Sequence, residues 1–317
     1  MLSTPVLRLS VLDQSPLGED MTPADALRHT LALARHTDAL GYHRFWHAEH
    51  HGSASFAGSA PEIMTALVLE NTTRLRVGTG GILLPRYHPE KVAETMGTLL
   101  RLHPGRVDVG IGRGGGPAPD FDQKVATLHQ RLLDIGHDDR AVGEPAGRLW
   151  LLGAGGSTAP LAGHLGAGYA FGHFFAPKKG PAALSDYRQH LRPGHPGGTL
   201  LTVRAVTAED PERAAALAQA MLLWRARKDL GHDAPIPALT TLARHDWSTA
   251  EHTQAALHAS SLIHGTPQQV RERLIHLARA HGVTEVMVNT LTADPDDRLA
   301  SYELLAAQFD VRHAFDD

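Results

Sequence analysis

The sequence predicts an α/β protein whose 317 residues form a single closed (β/α)8 barrel, residues 1–317. Three observations carry that expectation. Short apolar runs alternate with helix-period segments along the chain, and the joints between them are brief, which implies parallel strands and crossover helices. Eight apolar runs can be counted, which favours a closed barrel over an open sheet. The second run, Phe45-Trp46, passes within two residues into His47, Glu49, His50 and His51, as a strand does when it leaves a buried sheet for a functional rim.

The first strand covers residues 6–12 and stops at Asp13-Gln14-Ser15-Pro16. A helix follows, with Thr22 as cap, Pro23 in its first turn, Asp25 complementing its dipole, Leu27, Leu31 and Ala34 on one face, and Gly41 closing it. After the Phe45 strand, Ser59-x-x-Glu62 reads as a capping box ahead of Ile63 and Leu67. Residues 75–85 read as a third strand with glycines in its middle, Pro89 opens a helix carrying Val92, Met96 and Leu99, and 106–110 is a fourth strand. Residues 149–153, 169–171, 200–206 and 283–289 supply the other four strands. Helices are expected at about 158–165, at 210–227, and after the capping box Thr266-Pro267-Gln268-Gln269, the last ended by Gly282. Segments 114–147 and 229–262 carry enough Pro, Gly and polar residues to blur any pattern, although 122–133 still looks helical.

Composition excludes several classes of function. Thirty basic against 34 acidic residues give a net charge of −4 with no basic block, which argues against nucleic acid or a membrane surface as the main partner. There is no cysteine, so disulfides, thiolate nucleophiles and cysteine-ligated metals are excluded. Residues 1–5 lack a charged and apolar leader pattern, and no stretch approaches a membrane span, so a cytoplasmic enzyme is expected.

Three imidazoles near one strand end are groups that titrate near neutral pH and move protons. The chain holds 22 histidines, however, and a plain surface run is the alternative reading. Metal is not expected, because His47-x-x-His50 on a strand faces two ways. Two stretches suit a phosphate. Gly110-Ile111-Gly112-Arg113-Gly114-Gly115-Gly116 resembles a dinucleotide fingerprint, but it follows the fourth strand and no prompt helix succeeds it, so only an arginine among glycines at a strand end remains. Gly153-Ala154-Gly155-Gly156-Ser157-Thr158 lies directly between a strand and a helix, where free N–H groups and two hydroxyls cradle an anion.

The stretches 41–51, Val77-Gly78-Thr79-Gly80-Gly81-Ile82-Leu83-Leu84-Pro85, His88-Pro89 and 105–113 together resemble the bacterial luciferase-like flavin-dependent monooxygenases, as do 265–267 through Ser301-Tyr302-Glu303-Leu304-Leu305. The resemblance covers most of 6–113, 148–206 and 262–308. It implies a luciferase-like barrel with His50 as the catalytic histidine assisting oxygen chemistry at the flavin, His51 and Glu49 beside it, and a non-proline cis peptide at Gly80-Gly81 beneath the flavin ring. A plain bulge is the alternative at that glycine pair. It also implies phosphate contacts from Arg113 and from Ala154, Gly155, Gly156, Ser157 and Thr158. Gly112 stands where the luciferases proper carry a cysteine, so no thiol chemistry is expected.

The function so implied is a two-component monooxygenase using O2 and reduced FMN from a separate flavin reductase on a small organic substrate, in a homodimer. F420- or FMN-dependent hydride transfer is the alternative on the same barrel, and a non-catalytic flavin-binding scaffold is the alternative of another class. The segment between Arg113 and Leu149 is shorter than the family's, so the site is expected to lack a full lid, with 114–120 mobile. That in turn suggests a substrate that is bulky or presented by a carrier.

Overall fold

A computed structural model describes residues 7–138, 149–195 and 197–309. Residues 1–5, where no leader pattern was expected, and residues 139–148 of the segment after Arg113 lie outside the described residues. Eight parallel strands close into a barrel: β1 (Arg8–Asp13), β2 (Arg44–His47), β3 (Arg76–Thr79), β5 (Val107–Gly112), β6 (Leu149–Gly153), β7 (Gly168–Gly172), β8 (Thr199–Thr207) and β10 (Glu285–Asn289). Closure is made by β10, which pairs with β1 (Arg8↔Glu285) and with β8 (Val286↔Leu201). The expected (β/α)8 barrel is therefore present.

Two short strands complicate the count. Residues 75–85 do not form one strand: β3 stops at Thr79, the Gly80-Gly81 peptide is cis, and β4 (Ile82–Leu83) pairs only with the end of β5. The other addition is β9 (Leu262–Gly265), which pairs with the C-terminal half of β8 after β8 has turned away from β10.

The helices are α1 (Pro23–Leu40), α2 (Pro61–Asn71), α3 (Pro89–Leu102), α4 (Phe121–Asp138), α5 (Thr158–Leu165), α6 (Gly180–His190), α7 (Pro211–Asp229), α8 (Leu239–Leu242), α9 (Thr249–Ala259), α10 (Pro267–His281) and α11 (Pro295–Phe309). The capping boxes at Thr22 and Thr266 form, and Gly41 and Gly282 end their helices at φ +86° and +62°. Both angles lie in the left-handed region that glycine tolerates.

The Ser59 capping box does not form. Pro61 occupies the first turn of α2, the chain enters at Ala60, and no side chain caps it. On α1 the buried stripe is Ala26, Thr30, Leu33, Ala34 and Thr37, with Leu27 and Leu31 at its flanks. Along α2, Met64 and Val68 enter the core, whereas Ile63 and Leu67 are 58% and 42% exposed. The helical reading of 122–133 holds, with Val125, Leu128 and Leu132 buried.

Polar side chains organise the N-terminal end of the barrel. Asp108 on β5 is fully buried and receives Arg44 Nη1 (2.6 Å), Arg76 Nη2 (2.5 Å) and Trp46 Nε1 (3.0 Å). Arg44 Nε also donates to Glu285 Oε1 at 2.8 Å, and Ser10 Oγ donates to the same oxygen at 2.6 Å. Five strands are thereby joined through two carboxylates and two guanidiniums, and the two arginines hold the Asp108 carboxyl below its ordinary range against the cost of burial.

Candidate active site

The functional end is the opposite one, where the strands finish. It holds a cavity of about 560 Å³ bordered by the ends of β1, β2, β5, β6, β7 and β8 and by the Gly80-Gly81 peptide. That volume lies within the range of about 300–1,000 Å³ usual for small-molecule and cofactor sites.

The strand-end cluster on β2 separates into three environments. His47 is 1% exposed and belongs to the barrel's polar floor: its Nε2 meets Ser15 Oγ at 2.8 Å. Around it, Asp13 accepts from Ser15 N and Thr30 Oγ1 and pairs with Arg298 at 2.9 Å. Glu49 is 4% exposed and accepts from Leu83 N (2.8 Å) and Tyr87 Oη (2.7 Å), with His51 Nε2 at 2.5 Å. Its carboxylate therefore fixes the chain just beyond the cis peptide. His51 lies outside that carboxylate, at the surface.

His50 is the histidine that borders the cavity. Its backbone N–H donates to Gly58 O, its ring packs on Phe56 with centroids 4.4 Å apart, and Nε2 lies 3.2 Å from Gln14 Nε2. Gln14 Oε1 and His50 Nδ1 are buried without a hydrogen-bond partner among the described residues. Burial first, then the positive field of Lys228, brings His50 down from 6.5 to about 4, so the ring is neutral at pH 7.

The anion end lies across the cavity. Because β5 and β6 are paired (Gly112↔Leu152), Arg113 just after β5 meets the loop just after β6. Arg113 Nη2 donates to Ser157 Oγ at 3.2 Å and lies 3.6 Å from Asp122, while its guanidinium sits 4.9 Å from the Phe121 ring. Arg113 Nε is buried with no partner among the described residues. Gly155 and Gly156 have φ of +114° and +73°, so the loop turns without side chains, and Ser157 does not cap α5 with its hydroxyl. Guanidinium, hydroxyl and helix-start amides are thus left for an oxyanion. Thr158 borders the cavity, is 7% exposed and packs toward Gly153.

Between the two ends, Gly80 and Gly81 form one wall with a cis peptide, as the resemblance implied. A Cβ on Gly80 would lie 2.6 Å from Leu12 Cδ1, and one on Gly81 would lie 2.9 Å from Gly110 O. Glycine is required there by space. Apolar Leu12, Ala48, Leu152, Ala170 and Phe174 complete the middle, suited to a flat aromatic ring. The sequence did not single out Gln14 or Phe174; a polar residue directly after a strand was the available sign for Gln14. Among the described residues no group of three or more His, Cys, Asp or Glu side chains could hold a metal ion.

The buried histidines carry a pH prediction. His43, His50 and His173 are brought to about 4, and His47, His129 and His264 are also lowered, in each case chiefly by burial. Between pH 6.5 and about 4 the unfolded chain binds more protons at these rings than the folded one, so stability is full above 6.5 and falls with pH through that window. Urea midpoints are expected to decrease in the order pH 7, 5.5 and 4.5. A flat profile down to pH 5 would mean that the rings are protonated in the folded state.

Comparison with known proteins agrees with this geometry. The family model described as luciferase-like monooxygenase matches residues 7–135 and 124–285. An uncharacterised Bacillus subtilis protein, YceB, is 33% identical over 96% of this chain and all of its own length. A luciferase-like monooxygenase of Escherichia coli is 31% identical over 94% of this chain and 96% of its own. The crystal structure of apo-MsnO8 superposes with a TM-score of 0.81 at 33% identity, covering 97% of this chain and 98% of that one.

Proposed function

The chain belongs to the luciferase-like monooxygenase family, an oxidoreductase family, and from that premise we propose that it is the oxygenase half of a two-component flavin system in the cytoplasm. Reduced FMN, delivered by a separate reductase, would occupy the strand-end cavity, where O2 and a small organic substrate join it. The single observation that supports this reading most is the continuity of one cavity from the Arg113–Ser157 cradle, past Gly80-Gly81, to His50. The cradle suits a phosphate terminus, the apolar middle a ring system, and His50 a proton site beside the reacting end. When bound, reduced FMN supplies the electrons that activate O2.

This chain's own residues do the rest. Arg113 and the 154–158 loop bind and orient the phosphate, and Glu49 fixes the wall carrying the cis peptide. His50, neutral at pH 7 and held by Gln14, has a free ring nitrogen with which to take or return a proton. Phe174 and the exposed Phe175 cover the β7 side against water.

Distant structures of this fold include one in complex with FMN and one with an F420 adduct, at 15% and 14% identity. A second reading, hydride transfer with F420, draws support from Lys179, whose Cδ lies 3.5 Å from the Cβ position of Gly155 and could meet a longer anionic tail. The deciding experiment is anaerobic titration with reduced FMN and with reduced F420, followed by mixing with O2. Tight reduced-FMN binding with rapid O2 uptake supports oxygenation, whereas selective F420 binding without O2 uptake would replace it.

Arg113→Ala is expected to weaken FMN by about ten- to a hundredfold and riboflavin by less than about twofold, since a charge-assisted hydrogen bond is worth about 1.5–3 kcal/mol. Equal weakening of both, read by fluorescence titration, would move Arg113 away from the phosphate.

Dimerisation is part of the proposal in narrower form. Of the apolar residues available on α2 and α3, Met64, Val68, Met96, Leu99 and Leu100 are in the core, leaving Ile63, Leu67 and Leu102 exposed. We expect a two-fold dimer through these helices. A monomeric mass by analytical ultracentrifugation at micromolar concentration would overturn it. The glycines at 114–116, with no neighbour within 4 Å of a Cβ at Gly115 or Gly116, support a site open enough for a bulky or carrier-presented substrate.

A further inference from the structure

The cavity has a cationic neighbour that the reading above leaves unused. Thr202 borders the cavity from β8, and Arg204, two residues on and so on the same face of the strand, lies behind the Phe174 wall, where it borders a small adjoining recess with Trp224 and His258. Its guanidinium lies 4.5 Å from the ring centroid of Phe174, itself a cavity wall, and 5.3 Å from that of Trp224 on α7. The side chain is half-buried, and its Nε is sealed from solvent with no partner. Among the described residues, no ion pair or side-chain hydrogen bond holds this guanidinium.

The surrounding charges do not neutralise it. Asp229, the carboxylate with which it interacts at longer range, is engaged by Arg225 and by His258 at 2.6 Å. Asp233 is engaged by Lys228 at 2.8 Å, and by Ser53 and Ala54 N. Burial holds Arg204 down to about 9, which still leaves it charged at neutral pH, and its field reaches His50. Aromatic faces stabilise a cation but do not satisfy its planar N–H fork. A half-buried guanidinium without a counterion, flanked by two rings at the edge of a reaction cavity, is a site completed by an anion.

We propose that Arg204, with Phe174 and Trp224, is the specificity site for an organic anion, and that the substrate carries a carboxylate which this guanidinium receives while the rest of the molecule extends toward His50. The inference rests on the reading of the strand-end cavity as a flavin oxygenase site and adds the charge class of its substrate. Phosphate-bearing groups are already served at the opposite end by Arg113, 154–158 and Lys179. The β8 end, with its single fork and aromatic walls, suits one planar carboxylate on an apolar body.

The test uses the FMN-loaded full-length protein and matched acid–amide pairs: phenylacetate, 3-phenylpropionate and 2-naphthylacetate, each with its carboxamide. Binding is read from the flavin absorbance and from the fluorescence of tryptophan, with Trp224 directly at the site. The wild type is expected to prefer the acid of at least one pair by about ten- to a hundredfold. Arg204→Gln is expected to abolish that preference by weakening the acid while leaving the amide and FMN within about twofold. Arg204→Lys, which keeps the charge and loses the fork, is expected to retain part of it, and it decides the matter should the glutamine variant fail to fold. Equal binding of acids and amides to the wild type, or no binding of any acid, overturns the proposal. So does equal loss of acid and amide in Arg204→Gln, which would mark a structural arginine, and so does a parallel loss of FMN, which would assign the residue to the cofactor. A wild type that prefers acids but binds no FMN would instead remove the flavin reading and leave the anion site standing.

Discussion

Replacing His50 by alanine is expected to lower turnover by about two to four orders of magnitude, the range for a positioned acid–base group, while changing folding stability by no more than about 1 kcal/mol. The small stability effect follows from the position of the ring. It packs on Phe56 at the cavity edge, its burial as a neutral group is only partly offset by Gln14, and its backbone hydrogen bond to Gly58 survives the substitution. Steady-state oxygenation with a reductase supplying FMN, alongside a urea melt, separates the two quantities. Because the neutral ring is the resident form at pH 7, the wild-type rate is expected to hold as pH falls toward 5 and to decline nearer the value of about 4. An alanine variant with full turnover and lowered stability would make His50 a structural residue.

The largest expected loss of stability belongs to the other end of the barrel. Asp108→Ala should destabilise the fold by about 3–5 kcal/mol, because it removes the buried carboxylate on which Arg44 and Arg76 converge and leaves Arg76 without its ion-pair partner. Arg44 would keep Glu285, but its Nη1, together with the Nε1 of Trp46, would lose an acceptor. Equilibrium unfolding in urea measures this directly, and a loss below about 1 kcal/mol would show that water or a repositioned Glu285 takes over. Any variant protein that folds should bind FMN normally, since the network lies at the opposite end of the strands.

These two sites were unequally legible in the sequence. His50 stands in a run whose chemistry changes abruptly at a strand end, and such a change is local. Asp108 sits inside a strand pattern, and its partners Arg76, Trp46 and Arg44 lie 32, 62 and 64 residues away, so nothing nearby marks it as the centre of a network. The same distinction explains the elements. Thr22, Gly41, Thr266 and Gly282 act within one turn of themselves and were readable. The glycine pair at 80–81 was legible only through the family resemblance, because the atoms that leave no room for a Cβ there belong to Leu12 and Gly110, strands away. Helix α9 has a capping box at Ser248 and Glu251, but its inward face is small, with Ala255 and Glu251 buried, so no long apolar stripe announced it. Helix α6 begins in Gly180-Pro181 after two lysines and hid for the same reason. Within the site, Gln14 and Arg204 matter through what the barrel sets beside them, whereas Arg113 and the 154–158 loop were visible as glycine-rich strand ends.

The double pairing of β10 has a consequence for how the molecule is made. During synthesis β1 through β8 emerge first, and until β10 leaves the ribosome both β1 and β8 present open parallel edges. The contacts that close the ring join Arg8 to Glu285, across nearly the whole chain, and are therefore among the last to form. A chain that lacks β10 is therefore expected to expose those edges, and β9, which pairs with the C-terminal half of β8 and precedes β10, is expected to shorten the one on β8. Chaperone demand should accordingly end with the arrival of one five-residue strand.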